Sequence, residues 1–344
     1  MKHRLEGLVI AIFLVGSISL FAWFSISKPR ILILHSYDKD YSWVRDVDIG
    51  IKRVLDPRND YALRWHYMDT KRHSTEDFKA NAGKAVRRMI DEAPPDIILA
   101  VDDDAQQYVT RHYLNHPTIK IVFAGVNNEP EAYGFDRANN VTGILERVPL
   151  AALKESLLLI AQRNDLKAPL RIQFIGDRSD SVLGDERYFR RYDWAPLKVL
   201  DSILVSTYGE WQQAVQASLG KVDFLINSNY RKVIRSVTDP KLVPPAELIA
   251  WTENHSPVPV IGTNGYFAED GGMLAIGASP YEQGEVAARL AVEILDRNTS
   301  PKLLPFRKTQ QFVVAIGEAA IHRRNIDLPD VYEAAARASN KYFK

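Results

Sequence analysis

Arg30-Ile-Leu-Ile-Leu-His35 is a short, continuous apolar run that ends in the polar segment Ser36-Tyr37-Asp38. An apolar run of this length is typical of a β-strand that is buried on both faces of a sheet. Residues 96–101 (Asp-Ile-Ile-Leu-Ala-Val) form a second such run, which ends in Asp102-Asp103-Asp104. Segments with helical periodicity lie between these runs, so strands and helices alternate. This alternation predicts an α/β unit with a parallel sheet and helices on both of its faces.

The strand–helix pattern starts a second time after residue 145 and continues to a late strand at 312–316. No stretch between residues 31 and 330 has the composition of a linker, so we predict two lobes of one unit with two doubly wound sheets. We assign 30–145 with about 279–308 to the first lobe, 146–278 with about 309–335 to the second lobe, and 336–344 to a polar tail.

The first 29 residues contain an uncharged apolar run at positions 8–26, with Lys2 and Arg4 before it. About 20 apolar residues suffice for a helix that spans a bilayer. The end of the run, residues 21–27, has bulky residues where a signal-peptidase site needs small ones. We therefore predict an uncleaved membrane anchor, with a cleaved secretory signal as the alternative. Either one places the remaining chain on the periplasmic or extracellular side of the cytoplasmic membrane.

The composition excludes several classes of function. Apolar residues make up 46% of the chain and charged residues 25%, as in ordinary globular proteins. The formal net charge of +1 argues against a nucleic-acid partner, which would require a basic surface. The chain has no cysteine, which excludes disulfides, thiolate metal sites and a cysteine nucleophile.

The candidate site residues follow the predicted strands. Ligands of open α/β sheets bind at the carboxyl ends of the strands, where this sequence places aromatic, acidic and amide side chains. Aromatic rings and amides suit a small molecule that is stacked along its body and hydrogen-bonded at its ends. The predicted ligand-binding residues are Ser36, Tyr37, Tyr41, Trp43, Asp103, Asp104, Asn127, Asn128, Asn229, Tyr230, Asn264 and Tyr266.

Each group of candidates also has a purely structural interpretation. The aromatic residues after the first strand either stack on a ligand or pack into the core. One carboxylate of the 102–104 cluster pairs with a ligand amine, or these residues cap the following helix. The asparagines either bind a zwitterion or form turns.

Asp102-x-Asp104 also matches the Asp-x-Asp pattern of metal-dependent glycosyltransferases, which is the alternative enzymatic hypothesis. The histidines show no spacing typical of metal ligands, and the sequence has neither a nucleophile elbow nor a glycine-rich phosphate loop. We therefore predict no metal, no cofactor and no catalytic residue.

Three motifs, in the same order along the chain, are similar to those of a known family. The first is residues 121–128 (Ile-Val-Phe-Ala-Gly-Val-Asn-Asn) followed by Asn140-Val-Thr-Gly143. The second is Gly272-Met-Leu-Ala-Ile-Gly277 with Tyr281-Glu-Gln-Gly284. The third is Phe312-Val-Val with Ala319-Ala320 and Asn325-Ile-Asp-Leu-Pro329. Together they resemble the ABC-transporter substrate-binding proteins that include tryptophan- and tyrosine-binding members. The loop at 36–45 is also similar to extracellular sensor domains of histidine kinases and diguanylate cyclases.

The resemblance implies a type I periplasmic-binding fold, whose two lobes close on a small molecule. It implies a membrane partner, either an ABC permease or a sensor protein, and no enzymatic activity. The aromatic and acidic composition of the predicted cleft favours an aromatic or amine-bearing ligand.

Overall fold

The computed structural model describes residue 10, residues 13–17 and residues 28–344. The predicted anchor at 8–26 therefore lies largely outside the described residues. Within the part that is described, no helix combines the length and the apolar character needed to cross a membrane. The membrane anchor and its cleavage remain predictions.

The first lobe is built on a six-stranded sheet in which all neighbouring strands are parallel. The strand order is β11-β5-β4-β3-β1-β2. The strands are β1 (Arg30–His35), β2 (Ala62–Tyr67), β3 (Ile97–Val101), β4 (Lys120–Val126), β5 (Val141–Leu145) and β11 (Arg307–Lys308).

The second lobe is built on a seven-stranded sheet with the order β13-β12-β10-β9-β8-β6-β7. Its strands are parallel except for the antiparallel pair of β10 and β12. The strands are β6 (Arg171–Asp177), β7 (Lys198–Val205), β8 (Phe224–Asn227), β9 (Val260–Gly262), β10 (Leu274–Ala278), β12 (Phe312–Gly317) and β13 (Tyr342–Phe343).

Helices cover both faces of each sheet, as the sequence predicts. The first lobe contains α1 (Ser42–Leu55), α2 (Glu76–Glu92), α3 (Asp103–Tyr108) and α9 (Pro280–Arg297). The second lobe contains α4 (Leu150–Arg163), α5 (Asp180–Arg191), α6 (Tyr208–Gln216), α7 (Pro245–His255), α8 (Tyr266–Glu269), α10 (Glu318–Arg324) and α11 (Asp330–Ala338).

The alternation of side chains along β1 explains why the strand is apolar throughout. Ile31 and Ile33 face one hydrophobic core of the lobe, and Leu32 and Leu34 face the other. All four side chains are buried. Each contributes about 1.5–3 kcal/mol relative to an exposed position, so a strand with a polar face would cost the lobe one of its two cores.

Two elements differ from the sequence-based expectation. The sequence pattern of residues 105–114 predicts one continuous helix, but α3 ends at Tyr108, because Val109 leaves the helical region and a 3-10 turn follows at Thr110–Tyr113. The segment 336–344 was expected to be a polar tail. The structure instead pairs β13 with β12, since the amide of Ile316 donates to the carbonyl of Lys341 at 2.8 Å.

The chain passes between the lobes three times, at residues 146–149, at Ser279 and at residues 309–311. The carboxylate of Glu282 accepts hydrogen bonds from the amides of Gln310 (3.0 Å) and Gln311 (2.8 Å). At the first crossing, the Arg147 guanidinium donates to the carbonyls of Val126 and Asn127. These bonds fix the third crossing to the start of α9 and the first crossing to the end of β4.

Candidate functional site

A cavity lies between the two lobes, at the carboxyl ends of their strands. It encloses about 360 Å³ of unoccupied space, including its opening to solvent. The first lobe and its first crossing contribute Tyr37, Tyr41, Trp43, Lys71, Asp102, Asn127 and Glu146, and the second lobe contributes Ser181, Asp185, Asn229, Asn264 and Tyr266. We call this space the inner cavity.

One side of the inner cavity is aromatic. The rings of Tyr37 and Tyr41 meet edge to face with centroids 5.6 Å apart, and Tyr266 of the second lobe lies 6.1 Å from Tyr41. Trp43 adds a fourth ring, so we call these four residues the aromatic wall. The Lys71 ammonium lies 4.6 Å from the centroid of Tyr37 and 5.4 Å from that of Tyr41. The wall thus already holds a cation against its rings.

Arg231 lies behind the aromatic wall and links the lobes. Its guanidinium is 4.6 Å from the ring of Tyr266 and 5.2 Å from the ring of Tyr41. The same guanidinium pairs with Asp270 at 2.7 Å, and the Tyr230 hydroxyl donates to that carboxylate at 2.5 Å. The positive charge of Arg231 is therefore neutralised within the second lobe.

The inner cavity also has an acidic lining. Asp102, Glu146 and Asp185 all line it, and we call them the acidic triad. Asp102 is 3% exposed, and its Oδ1 accepts a hydrogen bond from the Trp43 indole at 3.1 Å. Its Oδ2 is buried and has no hydrogen-bond partner among the described residues. Asp185 accepts a hydrogen bond from the Ser228 hydroxyl at 2.7 Å.

The backbone of Asp102 is strained. Its φ of 66° and ψ of 167° lie in a region that is essentially restricted to glycine and costs about 1–3 kcal/mol for other residues. Asp102 precedes α3 directly, yet its side chain makes no capping hydrogen bond within the described part of the chain. The capping interpretation of Asp102 is therefore wrong for this residue, whose carboxylate lines the inner cavity instead.

The surroundings of the acidic triad disfavour three negative charges. Burial, followed by the charges of Asp103 and Asp104, holds the pKa of Asp102 well above its usual value, although Lys71 opposes this. Burial and the charges of Asp185 and Asp102 raise the pKa of Glu146 well above normal. Burial also raises the pKa of Asp185 to about 6. A cation in the cavity would relieve each of these penalties.

A wider outer cavity of about 1170 Å³ continues from the inner one, and Tyr37, Lys71 and Ser181 line both. Its walls include Lys79, which pairs with Asp104 at 3.2 Å. Lys232 also lies here, and burial together with the charges of Lys71 and Lys79 lowers its pKa to about 8. The outer cavity thus brings together three lysines, Lys71, Lys79 and Lys232, and four carboxylates, Glu76, Asp103, Asp104 and Asp180.

The side chain of Asp103 makes hydrogen bonds that hold a neighbouring loop in place. Its carboxylate accepts hydrogen bonds from the amides of Asn127 (3.1 Å) and Asn128 (3.2 Å) and from the Tyr133 hydroxyl (2.6 Å). These bonds fix the loop after β4. Ser36 is likewise engaged, since its hydroxyl donates to the carbonyl of Val101 and accepts from the amide of Ala105, both at 2.8 Å.

The predicted site residues divide into three groups. Those that line the inner cavity are Tyr37, Tyr41, Trp43, Asn127, Asn229, Asn264 and Tyr266. Those that line the outer cavity are Asp103, Asp104 and Asn128. Those that line neither of these two cavities and are buried are Ser36 and Tyr230.

Sequence reasoning missed Lys71, Glu146, Ser181 and Asp185, and did not include Asp102 among the ligand-binding residues. Glu146 directly follows β5, so the strand-end rule would have found it. Asp185 and Ser181 lie on α5, where that rule gives no signal.

A metal-dependent enzyme lacks support at Asp102 and Asp104. The first carboxylate lines the inner cavity and the second lines the outer one, where it pairs with Lys79. Across the described ranges, no group of three or more His, Cys, Asp or Glu side chains is placed to hold a metal ion.

Part of this chain is similar to a known protein family. Residues 209–339 match the family model described as ABC transporter substrate binding protein. Among curated protein sequences, none matches this chain. The resemblance to ABC-transporter substrate-binding proteins is confirmed.

Solved structures extend this likeness over nearly the whole chain. An ABC domain in complex with L-Trp from Streptococcus pneumonia has a TM-score of 0.63 and 14% identity, with 90% of this chain and 98% of that chain covered. A ligand-free, open substrate-binding protein with adhesive properties from Clostridium difficile has a TM-score of 0.61 and 16% identity, with 88% and 96% covered. The ligand-free TorS sensor domain–TorT complex has a TM-score of 0.53 and 11% identity, with 89% and 95% covered. These likenesses confirm the predicted two-lobed fold, and none supports a glycosyltransferase.

Proposed function

We propose that this chain is an extracytoplasmic solute-binding protein whose two lobes close on a small molecule. The observation that carries the proposal is the inner cavity, which both lobes line with aromatic, amide and acidic side chains. A binding protein needs such a shared cavity, because ligand contacts with both lobes favour the closed state over the open one. Binding and closure require no covalent chemistry, so the proposal includes no enzymatic step.

The closed form would be recognised by a membrane partner. The family match supports an ABC permease, and the likeness to a sensor complex supports a sensor protein. The apolar run at 8–26 favours a tethered protein, since only residues 27–29 separate it from β1. A short tether would keep the lobes close to the outer face of the membrane, where either partner would contact them.

Thermal unfolding of the full-length chain in detergent tests the proposal. The library contains amino acids, nucleobases, sugars, small carboxylates and amines. A ligand at 100 times its dissociation constant should add about 2.7 kcal/mol to the free energy of unfolding. If no compound raises the unfolding temperature, the solute-binding proposal is refuted.

A further inference from the structure

The inner cavity carries an excess of potential negative charge. The acidic triad is divided between Asp102 at the end of β3, Glu146 at the first crossing and Asp185 on α5 of the second lobe. Among the described lining residues, Lys71 is the one cation. The neighbouring arginines already have partners: Arg231 pairs with Asp270 through one terminal nitrogen, while its buried Nε has no partner among the described residues, and Arg147 donates to backbone carbonyls and pairs with Glu129.

The unpaired oxygen of Asp102 points to the missing partner. Asp102 Oδ2 is buried in the cavity wall without a hydrogen-bond partner among the described residues, while Oδ1 is held by Trp43. A buried carboxylate oxygen of this kind is costly unless a donor satisfies it. The strained φ of 66° is the second sign that this orientation serves a ligand, because strained residues cluster at binding sites.

The aromatic wall independently selects for a cation. Two of its rings, Tyr37 and Tyr41, already contact the ammonium of Lys71. A ring face attracts ammonium groups and disfavours carboxylates, which carry the opposite charge. The hydroxyl of Ser181 and the amide oxygen of Asn264, whose Nδ2 donates to the carbonyl of Ser228, add acceptors suited to N–H donors.

We propose that the ligand of the inner cavity is an organic cation, whose protonated amine binds between Asp102 and the carboxylates of Glu146 and Asp185 while its body lies against the aromatic wall. This proposal rests on the solute-binding function and names its ligand class. It also explains closure. Asp185 belongs to the second lobe, and its charge raises the pKa of Glu146 at the first crossing, so bringing the lobes together disfavours ionisation of these carboxyl groups. A cation between them removes this penalty and thereby favours the closed state.

Paired ligands separate the cation from the rest of the molecule. The probes are tyramine, tryptamine, butylamine and putrescine, each compared with the carboxylic acid and alcohol of the same skeleton. L-Tyrosine and L-tryptophan test whether a carboxylate beside the amine is required. We expect amines to raise the unfolding temperature of the full-length chain, and the matched acids and alcohols to leave it unchanged.

The two proposals fail in different ways. The cation proposal is overturned if an acid, an alcohol, a sugar or an amino acid raises the unfolding temperature at least as much as the best amine does. The solute-binding function would then still stand. If no compound of the whole library stabilises the chain, both are overturned.

Charge-removing variants locate the amine. Asp102→Asn and Asp185→Asn keep the side-chain shape, and we expect each to weaken binding of the best amine about 10- to 100-fold.

The matched control is Asp48→Asn. Asp48 is a buried carboxylate of α1 that pairs with His35 at 2.7 Å and does not line the cavity. Amine affinity should be unchanged in the control. Asp185 is only half-buried, so its variant should fold even if Asp102→Asn does not. Unchanged amine affinity in Asp185→Asn would contradict the proposed placement.

Discussion

Asp102 concentrates the features that distinguish this cleft from an ordinary loop cluster. Its carboxylate is buried, one oxygen lacks a described partner, and its backbone occupies a glycine region. A residue optimised for stability alone would not combine these three costs. We infer that stability has been exchanged for a fixed carboxylate in the cavity wall.

Substitution of Asp102 by glycine and by alanine separates the backbone strain from the side chain. Both variants lose the hydrogen bond to Trp43, but only glycine adopts the φ of 66° without strain. We expect Asp102→Gly to have a free energy of unfolding about 1 kcal/mol higher than that of Asp102→Ala, because relief of strain exceeds the entropic cost of glycine. Urea unfolding of both variants measures the difference.

Asp104 provides the matched control two residues later, inside α3. At a regular helical position the order is reversed, and alanine should be more stable than glycine by up to about 1 kcal/mol. If alanine is more stable than glycine at position 102 as well as at position 104, the backbone of Asp102 is not strained.

At the scale of the element, the contact between α1 and α9 explains a motif. A Cβ atom on Gly284 would lie 2.1 Å from the carbonyl oxygen of Val47, and one on Gly50 would lie 2.2 Å from that of Tyr281. The two helices therefore approach so closely that backbone faces backbone. The glycine that ends Tyr281-Glu-Gln-Gly284 is required by packing and not by ligand contact.

Gly284→Ala should consequently lower the free energy of unfolding by about 3 kcal/mol, the upper range for overpacked cores. The clash is with backbone, so rotation of a side chain cannot relieve it. Gly209→Ala on α6 is the control, because a Cβ there meets no atom within 4 Å among the described residues. It should stabilise the chain by up to about 1 kcal/mol. Chemical denaturation measures both, and equal effects would refute the packing explanation.

The strands were predictable because their signal is local. Residues buried on both sides of a sheet must be apolar, so β1 and β3 appear directly in the sequence. The direction of a side chain in the loop after a strand is not local. Ser36 and Tyr37 are neighbours, yet the first bonds the backbone of its own lobe and the second lines the cavity. Asp185 was missed because it lies within a helix and does not directly follow a strand.

The whole molecule is held in its present arrangement by contacts between the lobes. Lys341 of the second lobe forms a buried ion pair with Asp46 on α1, and the Tyr281 hydroxyl donates to the same carboxylate at 3.2 Å. Arg45 pairs with Glu269 across the lobes at 3.2 Å, but the arginine is more than half exposed. The pair of Lys341 and Asp46 is therefore the stronger candidate for controlling closure, because exposed pairs contribute little.

Lys341→Met should shift the lobes toward an open arrangement. The substitution leaves the Asp46 carboxylate without its cation at an interface that exists only when the lobes meet, and opening lets water solvate it. Part of the binding free energy is then used to close the lobes, so the apparent affinity falls in proportion to the fraction of molecules that are closed without ligand. If the closing equilibrium shifts by about 1.4 kcal/mol toward the open state, the affinity falls about tenfold. Small-angle X-ray scattering should show a larger ligand-free radius of gyration, and calorimetry with the best-binding amine should show the weaker affinity.

Arg163→Met is the control, since its pair with Asp327 lies within the second lobe and is partly exposed. Adding Asp46→Asn to Lys341→Met removes the unpaired charge and should restore most of the lost affinity. A radius and an affinity unchanged in Lys341→Met would mean that closure depends on the cavity contacts alone.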